Sequence, residues 1–520
     1  MMVFQLCKQI LQPAQLKSCR RAMFAQMANP QPGRRVSVAH SNPDFGIDGT
    51  IAGVAKINER AVLAKEHFLR VDDYIIPTQK SDISKLRDAA VILQAIGLQV
   101  NTLGPALIDA LTTASEDDSG NIEATFQLIS MARITFEDYI NIVLQEQIQN
   151  LETLLGIHVR DQLVDDFYHI SVRLTALDAT LALLQDAVQD AHNAANSGPV
   201  SDALVRQFID VDLVAQLQRH LTLLAYRIPV LTYTITSSLE NIQQADEYYF
   251  GLREDSDRVL NEIEASGNDF NEKTVAYSTE VEQSMNQLIA DYAEDLVAAS
   301  EIATELNVAD LTTAIAGLKA VQDTKLATTL QAYKDLYLPR VLELSKLLPI
   351  ESNFSFLAGE NPAAVLVGVL IANGPFSRFC FWKYASLLHN ILLTSNFASE
   401  CYDREYNRLQ ALEQALLLQI EMISFNQEII SPYTSVCRFL PASASQRVPQ
   451  CATEMAAYFT VMSNDYDAKL SAFVKLAEIE LNASKERLSV CWSSKVQQIL
   501  VKYKSLVPEI TACAANGPQV

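Results

Sequence analysis

Cysteine is absent from a stretch of 360 residues between Cys19 and Cys380, although the chain has eight cysteines in 520 residues. Breaking residues are also scarce: there are 16 glycines and 17 prolines, and proline is missing from 106–198 and from 230–338. Such spacing permits long helices and disfavours a β fold with frequent tight turns. Apolar residues recur at steps of three and four, the spacing of a helix with one buried stripe. The sequence therefore predicts an all-α protein.

Acidic residues are absent from 1–43, which carry six lysines or arginines, whereas 44–375 has a net charge of −28 and 376–520 is neutral. We take these changes as domain boundaries. They predict a basic, acid-free tail at 1–43, an acidic cysteine-free helical bundle at 44–351, a linker at 352–375 and a six-cysteine helical domain at 376–514 that folds alone. Because an acidic body repels phosphate backbones, the charge predicts no nucleic-acid partner.

The linker contains an uncharged apolar run of ten residues at 363–372. A membrane-spanning helix needs about 20 such residues, so we predict no membrane-spanning segment. The run is typical of a buried element at a domain junction, and its length also suits the core of a signal peptide. The second interpretation would make the chain a fusion of two genes, and both interpretations stay open.

The glycine motifs that bind phosphate, bind dinucleotides or present a nucleophilic serine are all missing, which removes the common nucleotide and hydrolase classes. Two histidines and two aspartates share one face of a predicted helix: His158, Asp161, Asp165 and His169. Such side chains bind zinc, but on one straight helix they spread over about 16 Å, too far for one ion. We therefore predict no enzymatic activity, no metal site and no cofactor.

Two long acidic helices are expected at 232–265 and 270–303, separated by Ser266-Gly267-Asn268. The first carries a cluster of acids: Glu240, Asp246, Glu247, Glu254, Asp255 and Asp257. It lacks the Glu-x-x-His spacing of di-iron bundles, so we interpret the cluster as solvated.

Six cysteines near the end of the chain lie in near-symmetric pairs about residue 444. Counting outward, the offsets are 7 and 7 for Cys437 and Cys451, 43 and 47 for Cys401 and Cys491, and 64 and 69 for Cys380 and Cys513. Two antiparallel helices joined at residue 444 would bring each pair to within about one helical turn of the same level. The spacing predicts a disulfide-stapled antiparallel helical hairpin. A bond between Cys491 and Cys513 is the rival pairing, because Pro508 could turn the chain back.

The compartment is inferred from these cysteines, because residues 4–24 are basic and lack the continuous apolar core of a secretory signal. Two N-glycosylation sequons, at Asn353 and Asn482, point the same way. We predict an extracellular, glycosylated protein. A mitochondrial or cytoplasmic location is the alternative, since the arginines of the tail are also typical of a transit peptide.

The cysteine framework that runs from Cys401-Tyr402 through Cys437 and Cys451 to Cys491 and Cys513 is similar to the insect TsetseEP domain. The resemblance covers about 376–514. It implies an extracellular insect protein without a defined activity, and the family offers no catalytic residues to carry over. The chain lacks the Glu-Pro repeat tract of the founding tsetse protein, so no role of that tract transfers.

These observations predict a secreted, non-enzymatic helical protein that acts by protein or surface recognition, with an unknown partner and an unknown oligomeric state. One alternative is a carrier that holds an apolar ligand in its bundle core. Another is an intracellular helical scaffold whose cysteines stay reduced.

Overall fold

The computed structural model describes residues 44–76, 78–196, 198–393 and 397–518, with side chains for all of these except 351, 353–361 and 442. This described part forms thirteen α-helices and no β-strand, apart from an isolated bridge between Asp44 and Ile47. The predicted all-α class is confirmed. The basic tail predicted at 1–43 lies outside the described residues.

Six helices precede residue 209: α1 (Val54–Phe68), α2 (Ser84–Ser115), α3 (Ile122–Asp138), α4 (Leu144–Leu155), α5 (Ile157–Ala194) and α6 (Asp202–Phe208). A π-helical turn at Tyr139–Val143 joins α3 to α4. Gly156, with φ of +94°, separates α4 from α5 because its left-handed backbone favours glycine. The side chain of Ser201 caps α6 by accepting a hydrogen bond from the backbone N of Leu204.

Three helices follow: α7 (Val211–Leu306), α8 (Ala309–Ala320) and α9 (Ala327–Ile371), with a π-helical turn at Val321–Leu326 between α8 and α9. The expected break at Ser266-Gly267-Asn268 is wrong, since α7 is continuous for 96 residues. Gly267 instead faces the backbone of α9, where a Cβ atom would lie far inside van der Waals contact with the carbonyl O of Ser345. Glycine at this position permits close helix packing rather than a turn.

The last part of the chain forms α10 (Ser377–Leu393), α11 (Ala398–Gln427), α12 (Ile430–Arg438) and α13 (Val448–Asn516), with a 3₁₀ turn at Ala442–Arg447 before α13. Helices α11 and α13 form the predicted hairpin. The buried residues of α13 recur at helical steps along its length, from Ala452 through Tyr466 and Trp492 to Cys513. Pro508 lies inside α13 without ending it.

The described residues cluster into two compact units. The first consists of 44–61, 109–131 and 177–219. In its core, the ring of Phe45 stacks on that of Phe126 with centroids 5.7 Å apart. The buried carboxyl group of Asp44 accepts a hydrogen bond from the backbone N of Ile51, and burial raises its pKa to about 7.

The second unit consists of 62–108, 132–176 and 220–518, with the gaps noted above. One continuous core within it takes side chains from α7, α8, α9, α11 and α13. Phe270 of α7 packs on Tyr402 of α11 with ring centroids 4.9 Å apart, and Tyr333 of α9 meets Phe473 of α13 at 5.5 Å. The acidic region and the six-cysteine region therefore share a core.

The segment predicted as a linker is helical in the structure. Helix α9 continues through it to Ile371, and the apolar run supplies buried residues at helical steps: Ala363, Leu366, Val367, Leu370 and Ile371. The apolar run is thus a buried helical element, as its first interpretation predicts, and the role of 352–375 as a linker stays a prediction. Whether 376–514 folds alone stays a prediction, and the shared core gives the opposite expectation.

Candidate functional site

Three disulfides connect α13 to the helices that precede it. Cys437–Cys451, Cys401–Cys491 and Cys380–Cys513 have Cα–Cα distances of 5.7, 6.0 and 5.8 Å. The connectivity is the nested one. The rival pair, Cys491 and Cys513, lies on one continuous helix, so a bond between them would require α13 to bend back on itself.

An ion pair between the buried Glu405 and the half-buried Arg487 lies one helical turn from the middle disulfide. Glu405 follows Cys401 by four residues and Arg487 precedes Cys491 by four. Arg487 donates to Glu405 through Nε at 3.0 Å and through Nη2 at 2.9 Å, and Nη2 also reaches Glu480 at 2.6 Å. The bond to Glu405 holds the pKa of Arg487 above its usual value. Such a bidentate pair fixes the register of α11 against α13.

A second buried carboxyl group lies further along α11. Burial raises the pKa of Glu413 to about 7, and Glu280 of α7 adds to the effect through a hydrogen bond and charge repulsion. Burial, with a smaller contribution from the charge of Glu413, also raises the pKa values of Tyr333 and Tyr337. Glu413 is therefore a titratable group inside a tyrosine-rich core.

The stripe weighed as a zinc site separates into local contacts. Asp165 lies 3.6 Å from His169, and Arg160 forms an ion pair with Asp161 at 2.7 Å. Asp166, which follows Asp165 and does not belong to the predicted stripe, is buried and accepts a hydrogen bond from Thr234 of α7. No group of three or more potential metal ligands occurs in the described part of the chain.

The acidic cluster on α7 was predicted to be solvated, and this prediction is wrong for Asp246. Asp246 is buried and accepts hydrogen bonds from the backbone N atoms of Lys80 and Ser81, at 2.8 and 2.9 Å. Glu240 pairs with Arg378 of α10 at 2.8 Å. These acids therefore fasten neighbouring segments to α7 within the second unit.

The closed end of the hairpin carries few charges. We call residues 429–453 the cap. It contains α12, the 3₁₀ turn and the start of α13, and it has no acidic residue between Glu428 and Glu454. Its two basic residues are Arg438, which pairs with Glu305 at 3.0 Å, and the exposed Arg447.

Helix α12 of the cap has two apolar faces. Ile430, Thr434 and Cys437 are buried on its inner face. Its outer face exposes 46% of Tyr433, 56% of Val436 and, at its end, 76% of Phe439.

The exposed surface continues onto α13. The rings of Tyr433 and Tyr458 have centroids 6.4 Å apart, and Val461 lies one turn after Tyr458. These residues form what we call the cap surface: Tyr433, Val436, Phe439, Tyr458 and Val461. The sequence pattern predicts only a connection between two helices here and gives no sign of this exposure.

The two predicted glycosylation sites have different positions. Asn482 is exposed on α13, whereas Ser484 of the same sequon is buried and accepts a hydrogen bond from Arg487. The side chain of Asn353 lies outside the described residues. Glycosylation of both stays a prediction.

One described helix, α2, is long and apolar enough to cross a membrane by length and composition alone. In the folded chain 44% of its most apolar stretch is buried, and a core helix meets the same criterion. The described residues thus offer no strong candidate for a membrane-spanning segment. No family model, curated protein or solved structure matches this chain.

Proposed function

We propose that this chain is a secreted, non-enzymatic helical protein that acts by recognising a protein or a surface. The observation that carries the proposal is the set of three nested disulfides in one helical hairpin. Disulfides persist in oxidising compartments and are rare in cytosolic proteins. The resemblance of the cysteine framework to the TsetseEP domain supports the same compartment, and membership of that family is part of the proposal.

Recognition is proposed because the hairpin is cross-linked and exposes aromatic side chains at its closed end. The bonds and the Glu405–Arg487 pair hold α11 and α13 in one register. A preformed surface binds without the free-energy cost of ordering its side chains and loops. The exposed aromatic side chains of the cap are of the kind that anchor interfaces.

The carrier alternative requires room for an apolar ligand in the bundle core. Seven of the largest fully buried side chains fill that core: Trp492, Tyr292, Tyr333, Tyr337, Tyr466, Phe270 and Phe459. These contacts favour a packed core over a ligand chamber, so we propose recognition ahead of transport.

Secretion is tested by expressing the full chain in eukaryotic cells and measuring the intact mass of protein from the medium, with and without reductant. We expect the untreated protein to be lighter by about six mass units, one hydrogen for each bridged cysteine. Protein found only inside cells, with six free thiols, would favour the intracellular scaffold and overturn the proposal.

A further inference from the structure

We propose that the cap is a processing site, at which a serine protease of trypsin-like specificity cuts the bond between Arg447 and Val448. A protease of this class has a pocket whose carboxylate pairs with a basic side chain of the substrate. The inference goes beyond the proposed function and depends on it only for the three disulfides.

Arg447 is presented at the surface of the cap. It ends the 3₁₀ turn and is exposed, as are Gln446 before it and Pro449 after it. The backbone N of Val448 donates a hydrogen bond to the carbonyl O of Ser445 within the same turn. Hydrogen bonds of a 3₁₀ turn have poorer geometry than those of an α-helix, and exposed loop tips are preferred sites of proteolytic cutting. The segment before the bond is therefore accessible to a protease.

The segment after the bond is the first turn of α13, which begins at Val448. The first four N–H groups of a helix have no partner within that helix, and Pro449 has no N–H group at all. This turn therefore unwinds with the loss of few hydrogen bonds. The unwound turn and the loop before it then supply the extended backbone that a partner can bind as an added strand.

The other basic residues of the described chain are less suitable. Outside the α- and π-helical segments, the described lysines and arginines are Arg70, Lys80 and Arg447. The bond after Arg70 leads into Val71, which is only 1% exposed. The bond after Lys80 leads into Ser81, whose backbone N donates to the buried carboxyl group of Asp246 at 2.9 Å. A cut at either position would first require buried contacts to break, so the bond after Arg447 is the favoured one.

The disulfides determine what the cut produces. The oxygen of one water ends on the carbonyl carbon of Arg447 as part of a carboxylate, and both its protons end on the N atom of Val448 as an ammonium group. Each disulfide joins a cysteine before the cut to a cysteine after it. The product is therefore one molecule of two chains, in which α11 and α13 keep their register. The new ammonium group opposes the dipole of α13, so the end of the hairpin opens without releasing either helix.

The first test digests the full, disulfide-bonded chain briefly with a small amount of trypsin and measures product masses with and without reductant. Within 44–518, we expect the cut after Arg447 to precede every other cut and to release 448–520 only after reduction. Arg447→Gln should slow this release at least about 100-fold, because a pocket built for a charged partner rejects an analogue without the charge. Arg447→Lys should retain the cut. Arg438→Gln, which changes the other basic residue of the cap, is the matched control and should be cut as the wild type is.

A second measurement tests the processing itself. The full chain is expressed in eukaryotic cells that also secrete a trypsin-like protease, and the protein in the medium should show Val448 as a second amino terminus. An earlier cut elsewhere in 44–518, equal slowing by Arg438→Gln, or secreted protein without this amino terminus would overturn the proposal. Separation of the two fragments without reductant would confirm the cut but contradict the disulfides of the proposed function. Bridged cysteines in a protein that resists the protease would overturn this inference alone.

Discussion

Replacing Gly267 by alanine tests whether α7 and α9 pack as closely as the structure shows. In an exposed helix interior the change would stabilise the fold by about 1 kcal/mol, because alanine has the higher helix propensity. Here the new Cβ would lie inside contact with the carbonyl O of Ser345 and 3.2 Å from the hydroxyl O of Tyr402. Overpacking costs about 1–3 kcal/mol, and a backbone neighbour cannot rotate away. With the propensity gain of about 1 kcal/mol subtracted, we expect a net loss of up to about 2 kcal/mol.

Gly251 provides the matched control on the same helix. A Cβ atom there would have no neighbour within 4 Å, so Gly251→Ala should stabilise the protein by about 0.5–1 kcal/mol. Urea denaturation of both variants should move the midpoint in opposite directions. If Gly267→Ala is as stable as Gly251→Ala, then α7 does not approach α9 at this point and the shared core is incorrectly described.

Three further predictions concern the second unit. The raised pKa of Glu413 means that the folded chain binds a proton that the unfolded chain releases near pH 4.5, so stability should decline as the pH rises from about 4.5 to 7. Glu413→Gln should remove about 1–3 kcal/mol of this pH-dependent loss in the free energy of unfolding, measured by denaturation at several pH values. The exposed Glu421→Gln should leave the pH dependence as it is in the wild type. An unchanged pH profile in both variants would contradict the raised pKa of Glu413. The oxidised fragment 376–514 should bind an apolar dye and unfold with little cooperativity, because it loses the cover of α7, α8 and α9; a sharp transition equal to that of the full chain would show that it folds alone. Non-reducing peptide mapping should recover Cys401 linked to Cys491, and recovery of Cys491 linked to Cys513 would refute the hairpin register.

The sequence predicted the features that depend on regular helix rise. Cysteines at matched offsets from residue 444 can be paired because each residue of a helix adds a fixed rise. The same regularity describes the buried stripe of α13, which includes Phe459 and Tyr503. Pattern alone was enough here, since both helices follow one another in the chain.

The sequence was less informative where a residue's role depends on a distant partner. The residues next to Gly267 predict a helix break. Its role in close helix packing becomes visible only from its approach to the backbone of Ser345 in α9. Asp246 is similar, because its partners Lys80 and Ser81 lie 166 and 165 residues away. The Glu405–Arg487 pair could have been predicted from the sequence, because the two opposite charges lie one turn inward from Cys401 and Cys491. This prediction requires that the cysteine pairing is already known.

The nested bonds also determine how the hairpin responds to mechanical tension. Force applied before Cys380 and after Cys513 passes through the outermost bond, and the 133-residue loop inside it carries no load. When that bond is reduced, the chain can lengthen only by the difference between loops of 133 and 90 residues before Cys401–Cys491 carries the load. The innermost bond then protects its own 14-residue loop. A hairpin pulled in this way would lengthen in three discrete steps, each requiring a reductant.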